Sequence, residues 1–435
     1  MKRLTLFLLA MLTLGVSVTV AQPSPYGVAA QAQPWRSETA VRALKEDLTR
    51  AGNNLNSYEF FPIADTPAPK GYEPFYISHY GRHGSRSNWG GKSYEDLIRC
   101  LEVGRGLGIL TPGGDSLLVA SREVLKIYGG MDGRLSQRGV REHAAIAERM
   151  YKRYPQVFRN NKRLRAYAST VQRCIISMNS FTNSLIRQDN QLEIRLDTGE
   201  EFMKYIDPTS GWQQVTGEAM MQSREWLQQV PDDTLGVLPR LFTDVQKALT
   251  FVDSPRALTE NVYNTAMVAE DFDIEDDLYR FLPFDAVYRR WAANNIFLYL
   301  GHCNSAAAGA RRIPMAKSSV DDIVAKADEC IATGAYAADL RFGHDYPLMA
   351  LVSYLGIEGV GERYEIPDIC NNWLGFWNIP MASNLQLIFY RNKAGHVLVK
   401  FLYQEQERLL RGLQPVEGPY YDWETVKANI EGYKR

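Results

Sequence analysis

A chain of 435 residues, 45% hydrophobic and 23% charged, carries enough apolar material for a sizeable core and falls outside the disordered class. With 49 Lys plus Arg against 50 Asp plus Glu there is no global basic field to hold a nucleic acid, so any anion chemistry must come from local clustering of charge. Five cysteines, an odd number without metal-knuckle or redox spacing, specify no disulfide framework; one or two bridges are compatible with an oxidising compartment, and at least one thiol stays free.

The chain opens with Lys2 and Arg3, an apolar run from Leu4 to about Val20, and the small residues Thr19-Val20-Ala21. That is the three-part pattern of a cleaved signal peptide over residues 1–21. The run is also near the minimum length of a membrane anchor, but small residues stand where cleavage needs them, and nothing later approaches a span. The expectation is a periplasmic or secreted protein with no membrane attachment after cleavage. Residues 22–69 read as a leader rich in Pro, Ala and Gln, then a helix: Ser37 precedes ETAVRALKEDLTRAG, where Val41, Leu44 and Leu48 share a face and Gly52 ends the pattern.

Next comes FYISHYGRHGSRSNWGG, residues 75–91. Phe75, Tyr76 and Ile77 predict a short buried strand ending at about Tyr80, which leaves Arg82, His83 and Arg86 on the loop at its carboxyl end, where α/β proteins bind ligands. Three other readings compete. GGKS resembles the tail of a P-loop, but Arg86 stands where that motif requires glycine. His79 and His83 are four apart, as zinc ligands on a helix can be, yet a strand end without an intervening Glu does not bring them together, and no metal is expected. The plainest alternative is a surface loop with solvated arginines.

Further along, LSQRGVREHAAIAERMYKRYP has helical spacing up to Pro155, LRAYAS reads as a strand, and TVQRCIISMNSFTNSLI reads as a helix with Arg173 at its beginning. The stretch from about 200 to 330 is patterned as helix, with SVDD (Ser319 to Asp322) as a capping signal, and reads as a helical insert. NLQLIFYR and HVLVKFLYQ flank NKAG as a hairpin closing the sheet.

A neutral imidazole among arginines suits attack on a phosphate ester. The imidazole accepts the phosphoryl group, guanidinium forks hold its oxygens, and an acid must protonate the leaving alkoxide. That chemistry requires a second His or Arg and an Asp or Glu far away in sequence. Of six histidines, His143 (beside Glu142 on a mostly solvated helix face), His302 and His396 lack a suitable setting, whereas His344 and Asp345 sit between a short apolar segment and an apolar helix, where a helix N-terminus also favours an anion.

GRHGSRS, STVQRCIISMNSF and FGHDYP occur in the order and approximate spacing of the histidine acid phosphatases, and the chain resembles this second clade of the histidine phosphatase superfamily, which includes phytases and multiple inositol polyphosphate phosphatases. GRLSQRGVREH, PMASNLQLIFY and VLVKFLY resemble further family segments, so the likeness covers roughly residues 70–405. It implies a three-layer α/β/α sandwich with a helical cap, over a catalytic domain at 70–435 with the insert at about 200–330. It also implies that His83 is the nucleophile, that Arg82, Arg86, Arg173 and His344 bind the phosphoryl group, and that Asp345 is the proton donor, with no cofactor. Two departures stand out: Ser87, Asn88 and Trp89 follow Arg86 where the family often has an aromatic or small residue and then Pro, and His344-Asp345-Tyr346 replaces the His-Ala-Glu of many inositol polyphosphate phosphatases.

The expected partner is a small phosphomonoester, phytate or another organic phosphate, hydrolysed with an acidic pH optimum. The alternatives are a broad acid phosphatase, a non-catalytic phosphate-ligand binding relative, and a phosphotransferase or mutase. Lys92, Lys162, Arg163 and Arg165 either widen the positive field for a polyphosphorylated ring or are ordinary surface charges. Oligomeric state is not legible from these features.

Overall fold

The computed structural model describes residues 36–432 apart from 89–90, 209–211, 229–233 and 275–276, so the expected signal peptide lies outside the described residues. Eight strands form one sheet: β1 (Glu73–Arg82), β2 (Arg163–Ala168), β3 (Glu193–Thr198), β4 (Ala338–Gly343), β5 (Asn384–Arg391), β6 (Val397–Tyr403), β7 (Gln406–Arg408) and β8 (Tyr420–Asp422). Their order is β3-β2-β4-β1-β5-β6-β7, with β8 beside β6. The four strands from β3 to β1 pair in parallel, and β5 to β8 are added by antiparallel pairing.

Alternation along β1 explains the layers. Ile77 joins Leu164, Ala166, Leu340 and Phe342 in a core beneath helices Gln137–Arg153 and Gln172–Gln188. Tyr76 and Tyr80 enter the larger core on the other face, under helices Lys317–Thr333 and Asp345–Leu355. The result is the expected α/β/α sandwich. Because β1 is covered on both faces and bonded on both edges, it runs well past the predicted Tyr80 and takes Arg82 into the sheet.

Three local expectations change. The first helix stops at Glu46, because Asp47 turns to an extended backbone and caps a separate 3-10 segment, Leu48–Leu55, with its side chain. Ser319 is not a cap: it lies inside helix Lys317–Thr333 and donates its hydroxyl proton to the Tyr205 carbonyl (2.6 Å). The hairpin β5–β6 does not close the sheet, since β7 and β8 both pair on β6. Strand β3, on the other sheet edge, escaped the sequence reading because its residues are mostly exposed and carry no apolar run.

Between Glu200 and Thr333 the described residues form helices and turns and no named strand. Helix Pro255–Ala269 packs against helix Gly91–Gly106 and against residues 48–55, so the helical layer also draws on segments from the first part of the chain. No described helix is long and apolar enough to cross a membrane. The bridges allowed by the composition are not formed: all five cysteines are free, and burial pushes the Cys174 and Cys370 thiols up to about 12.

Candidate active site

Parallel pairing sets the ends of three strands side by side. Arg82 is in register with Gly343, and Ala168 with Phe342, so the residues that follow β1, β2 and β4 share one edge of the sheet. His83 follows β1, Ser169 follows β2, and His344 caps helix Asp345–Leu355 directly after β4. Arg173 arrives from the first turn of helix Gln172–Gln188.

The loop after β1 is held at nearly every peptide. The Arg82 N–H donates to Ser383 O (2.8 Å), His83 N–H to Gly343 O (2.9 Å), Gly84 N–H to Ser177 Oγ (3.2 Å) and Ser87 N–H to Arg134 O (3.0 Å). Glu142 accepts from Ser85 N–H and Ser85 Oγ, each at 2.7 Å, and from Tyr58 N–H at 3.0 Å. The helix carrying Glu142 approaches so closely that a Cβ on Gly84 would lie 2.6 Å from Gly139 O, and a Cβ on Gly139 would lie 2.3 Å from Ser85 O. Two facing glycines permit this contact, which no side chain allows.

All six residues singled out from the sequence meet here. His83 is 1% exposed and its ring stands 5.6 Å from that of His344, nearly perpendicular to it. His83 Nδ1 lies 3.0 Å from the Gly84 carbonyl; a carbonyl only accepts, so Nδ1 carries the proton and Nε2 keeps its lone pair. Burial, then Arg173, Arg82, Arg86 and His344, hold the His83 imidazole well below its ordinary range, so it is neutral. His344 is likewise brought down to about 3 by burial and then Arg173, whose Nη2 lies 3.4 Å from His344 Nδ1.

Arg82 is completely buried. Its Nη1 donates to the Asn54 and Ile379 carbonyls, while Nη2 lies 2.9 Å from Asp345 Oδ2 as an ion pair without hydrogen-bond alignment. Burial tends to raise the Asp345 carboxyl, but Arg82, the 2.8 Å hydrogen bond from Asn54 Nδ2, and Arg86 outweigh it and bring Asp345 down to about 2. Burial, then Arg173 and Arg82, lower Arg86 to about 10, a sign of cations crowded together. The solvated-loop alternative is excluded by the burial of Arg82, His83 and Arg86. The zinc alternative fails too, because the His79 ring packs against Phe181 and Phe342.

Other sequence readings do not reach the site. Lys162 pairs with Asp189, and Arg165 is forked onto Asp339 with Glu329 beside it. Both they and Arg163 lie towards the start of β2, whereas the site is at its far end, roughly 10–20 Å away at the rise of a strand. The Lys92 side chain lies outside the described residues. His143, read as part of a solvated face, is 1% exposed against Phe342, because its helix lies flat on the sheet.

Three contributors were missed. Asn54, from the segment before residue 70, bonds Asp345; Ser169 Oγ lies 3.0 Å from His344 Nε2; and Asp207 Oδ2 lies 3.8 Å from that same nitrogen. Ser169 could have been found, since it opens the quoted STVQRC segment. Asn54 and Asp207 have no local signal, because only the fold brings them in.

The sequence model of the histidine phosphatase superfamily (branch 2) matches residues 81–404. No curated protein matches the chain. Among solved structures, the apo form of a multiple inositol polyphosphate phosphatase from Bifidobacterium longum superposes with a TM-score of 0.71 at 18% identity, covering 88% of this chain and 97% of that one. Its complex with inositol hexasulfate gives 0.70 at the same identity and coverage. A phytase from D. castellii gives 0.66 at 10% identity, covering 92% of this chain and 90% of that one. At such identities the likeness speaks for the fold.

Proposed function

Because the chain belongs to branch 2 of the histidine phosphatase superfamily, we propose that this phosphatase works through a phosphohistidine on His83 and that its substrates are inositol polyphosphates or similar organic phosphates. The observation that carries this reading is the His83 ring: neutral, with Nδ1 engaged by Gly84 O, leaving the Nε2 lone pair among three guanidinium groups.

In this reading Arg82, Arg86, Arg173 and His344 hold the phosphoryl oxygens. His83 Nε2 attacks phosphorus, the bond from phosphorus to the ester oxygen breaks, and Asp345 gives that oxygen its proton. Water then attacks the phosphohistidine, its proton passes to the Asp345 carboxylate, and the P–N bond breaks to release phosphate and neutral His83. Arg82 keeps Asp345 ionised. A bound phosphate dianion cancels that positive charge and adds a like charge beside the carboxylate, both of which raise Asp345 toward the range in which it donates. The expected optimum is acidic for this reason. The inositol hexasulfate bound by the Bifidobacterium longum structure supports the substrate class, and residues 1–21 support export.

The test is phosphate release from phytate and from a simple aryl phosphate between about pH 4 and pH 8, with wild type and His83→Ala side by side. Release that disappears in the variant supports the phosphohistidine, and a rate in favour of phytate supports the substrate class. Equal release by His83→Ala would remove the mechanism.

A further inference from the structure

One half-buried carboxyl near the pocket has no task in that chemistry. Asp207 caps the C-terminal end of helix Glu200–Ile206, its N–H bonded to Met203 O (2.9 Å), and its Oδ2 lies 3.8 Å from His344 Nε2. The same Nε2 lies 3.0 Å from Ser169 Oγ, while Nδ1 lies 3.4 Å from Arg173 Nη2. An arginine only donates, so with Arg173 at Nδ1 the ring proton of a neutral His344 belongs on Nε2, toward Ser169 and Asp207. For His344 also to donate to a phosphoryl oxygen from the Arg173 side, the ring must become an imidazolium, and Asp207 is the carboxylate placed against its other nitrogen.

We propose that Asp207 is a positioning residue that supplies the counter-charge for a protonated His344 when an anion fills the pocket, a role that rests on the phosphate-binding reading given above. Before binding, both groups are neutral in mildly acidic solution: burial and Asp345 push Asp207 up to about 6, and burial and Arg173 hold His344 at about 3. When a dianion enters beside His344, one proton leaves the Asp207 carboxyl and one arrives on the imidazole, so a neutral pair becomes an ion pair with no net exchange with solvent. The charged and titratable groups around Asp207 are His344 and Asp345 after β4, Arg173 and Cys174 from helix Gln172–Gln188, Arg312 from helix Gly309–Arg312, and Tyr80 from β1. Arg312 and Arg173 favour the ionised Asp207, and Asp345 opposes it.

Sulfate keeps two charges across the relevant range and serves as the probe. Its binding to the full chain is measured by calorimetry in buffers of different ionisation enthalpy, at about pH 5 and about pH 7, for wild type, Asp207→Asn and Asp207→Glu, with thermal melting as the check on folding. Between the lower and the higher pH, proton uptake per sulfate by wild type should rise by about one relative to Asp207→Asn, because above its own titration Asp207 has no proton left to give, whereas any uptake by Asp345 is common to both proteins. Asp207→Asn should also weaken sulfate about tenfold at the higher pH, and Asp207→Glu should restore much of both differences. Should Asp207→Asn melt early, Asp207→Ser takes its place as the reference. A pH dependence of uptake that is the same in wild type and in the folded reference variant overturns the proposal. So does an absence of sulfate binding. Phosphate release by wild type, lost in His83→Ala, tests the phosphatase mechanism separately, so a failure of Asp207 alone is recognisable.

Discussion

Two sets of buried arginines, one on strands β2 and β4 and one just beyond the ends of β1 and β2, obey opposite rules. Beneath helix Lys317–Thr333, Arg165 makes two hydrogen bonds to Asp339 (2.8 and 3.0 Å), Tyr76 donates to the same carboxylate (2.8 Å), and Arg341 reaches Asp322 (2.7 Å) and Ser78 (3.1 Å). There burial works against the charged form, but the carboxylates win and both guanidinium groups are raised above their ordinary value. At the carboxyl ends of β1 and β2 both Arg86 and Arg173 are lowered: Arg86 by burial and then by Arg173 and Arg82, Arg173 by burial, which outweighs the pull of Cys174, Asp345 and Asp207. A folded chain keeps buried cations together when a ligand brings the missing negative charge. The contrast in electrostatic balance, more than the presence of arginine, distinguishes structure from site.

The contrast can be broken from either side. Arg86→Ala should cut kcat/KM on an aryl phosphate by about 10³-fold, the scale of a lost transition-state donor, while leaving the melting temperature unchanged or higher. A fall in stability to match the fall in activity would contradict it. Asp339→Ala should do the reverse: about 3 kcal/mol less stable in urea, since Arg165 loses its main buried partner, with kcat of the folded fraction retained.

A third test uses acid. His79, His143 and His302 are buried and held at about 3, mainly by burial, against an ordinary value of 6.5. A histidine whose folded value is depressed contributes stability that is present above the unfolded value and lost as pH falls from there toward the folded value. Each should therefore cost roughly 2 kcal/mol between its unfolded value and about pH 5, and His143→Phe should flatten the pH dependence of urea unfolding by about that amount. Equal slopes for variant and wild type would show that these rings are not kept neutral. The smallest effect is expected from Lys162→Ala: less than about 0.5 kcal/mol, because its pair with Asp189 is on the surface, and no change in KM for phytate, because it lies away from the site. A raised KM would return Lys162 to the substrate field.

What the sequence made legible follows from range. His83 and Arg82 were readable because a strand end and its loop are local, and His344 with Asp345 because a strand-to-helix junction places both at once. Arg173 was readable for the same reason. Asn54 and Asp207 were not, since their partner Asp345 or His344 lies more than a hundred residues away. Arg165 shows the converse limit. From sequence it belonged either to the substrate field or to the surface, and β4 instead supplied Asp339 to hold it in a buried pair. His143 was misjudged because polarity was read as exposure, while it packs beside Phe342; Ser319 was misjudged because a capping pattern was read as a helix start, while it lies within its helix on the Tyr205 carbonyl.

The facing glycines Gly84 and Gly139 make the basic loop and the following helix one interlocked part, each shaped to the other's backbone. The loop is therefore not a portable cassette. Grafted onto another strand end without the Ser136-Gln137-Arg138-Gly139 turn and Glu142, it would carry its chemistry in name while losing the support that orients it. Directed evolution of this pocket should accordingly find the two segments changing together, with substitutions at either glycine surviving only after the other backbone has moved away.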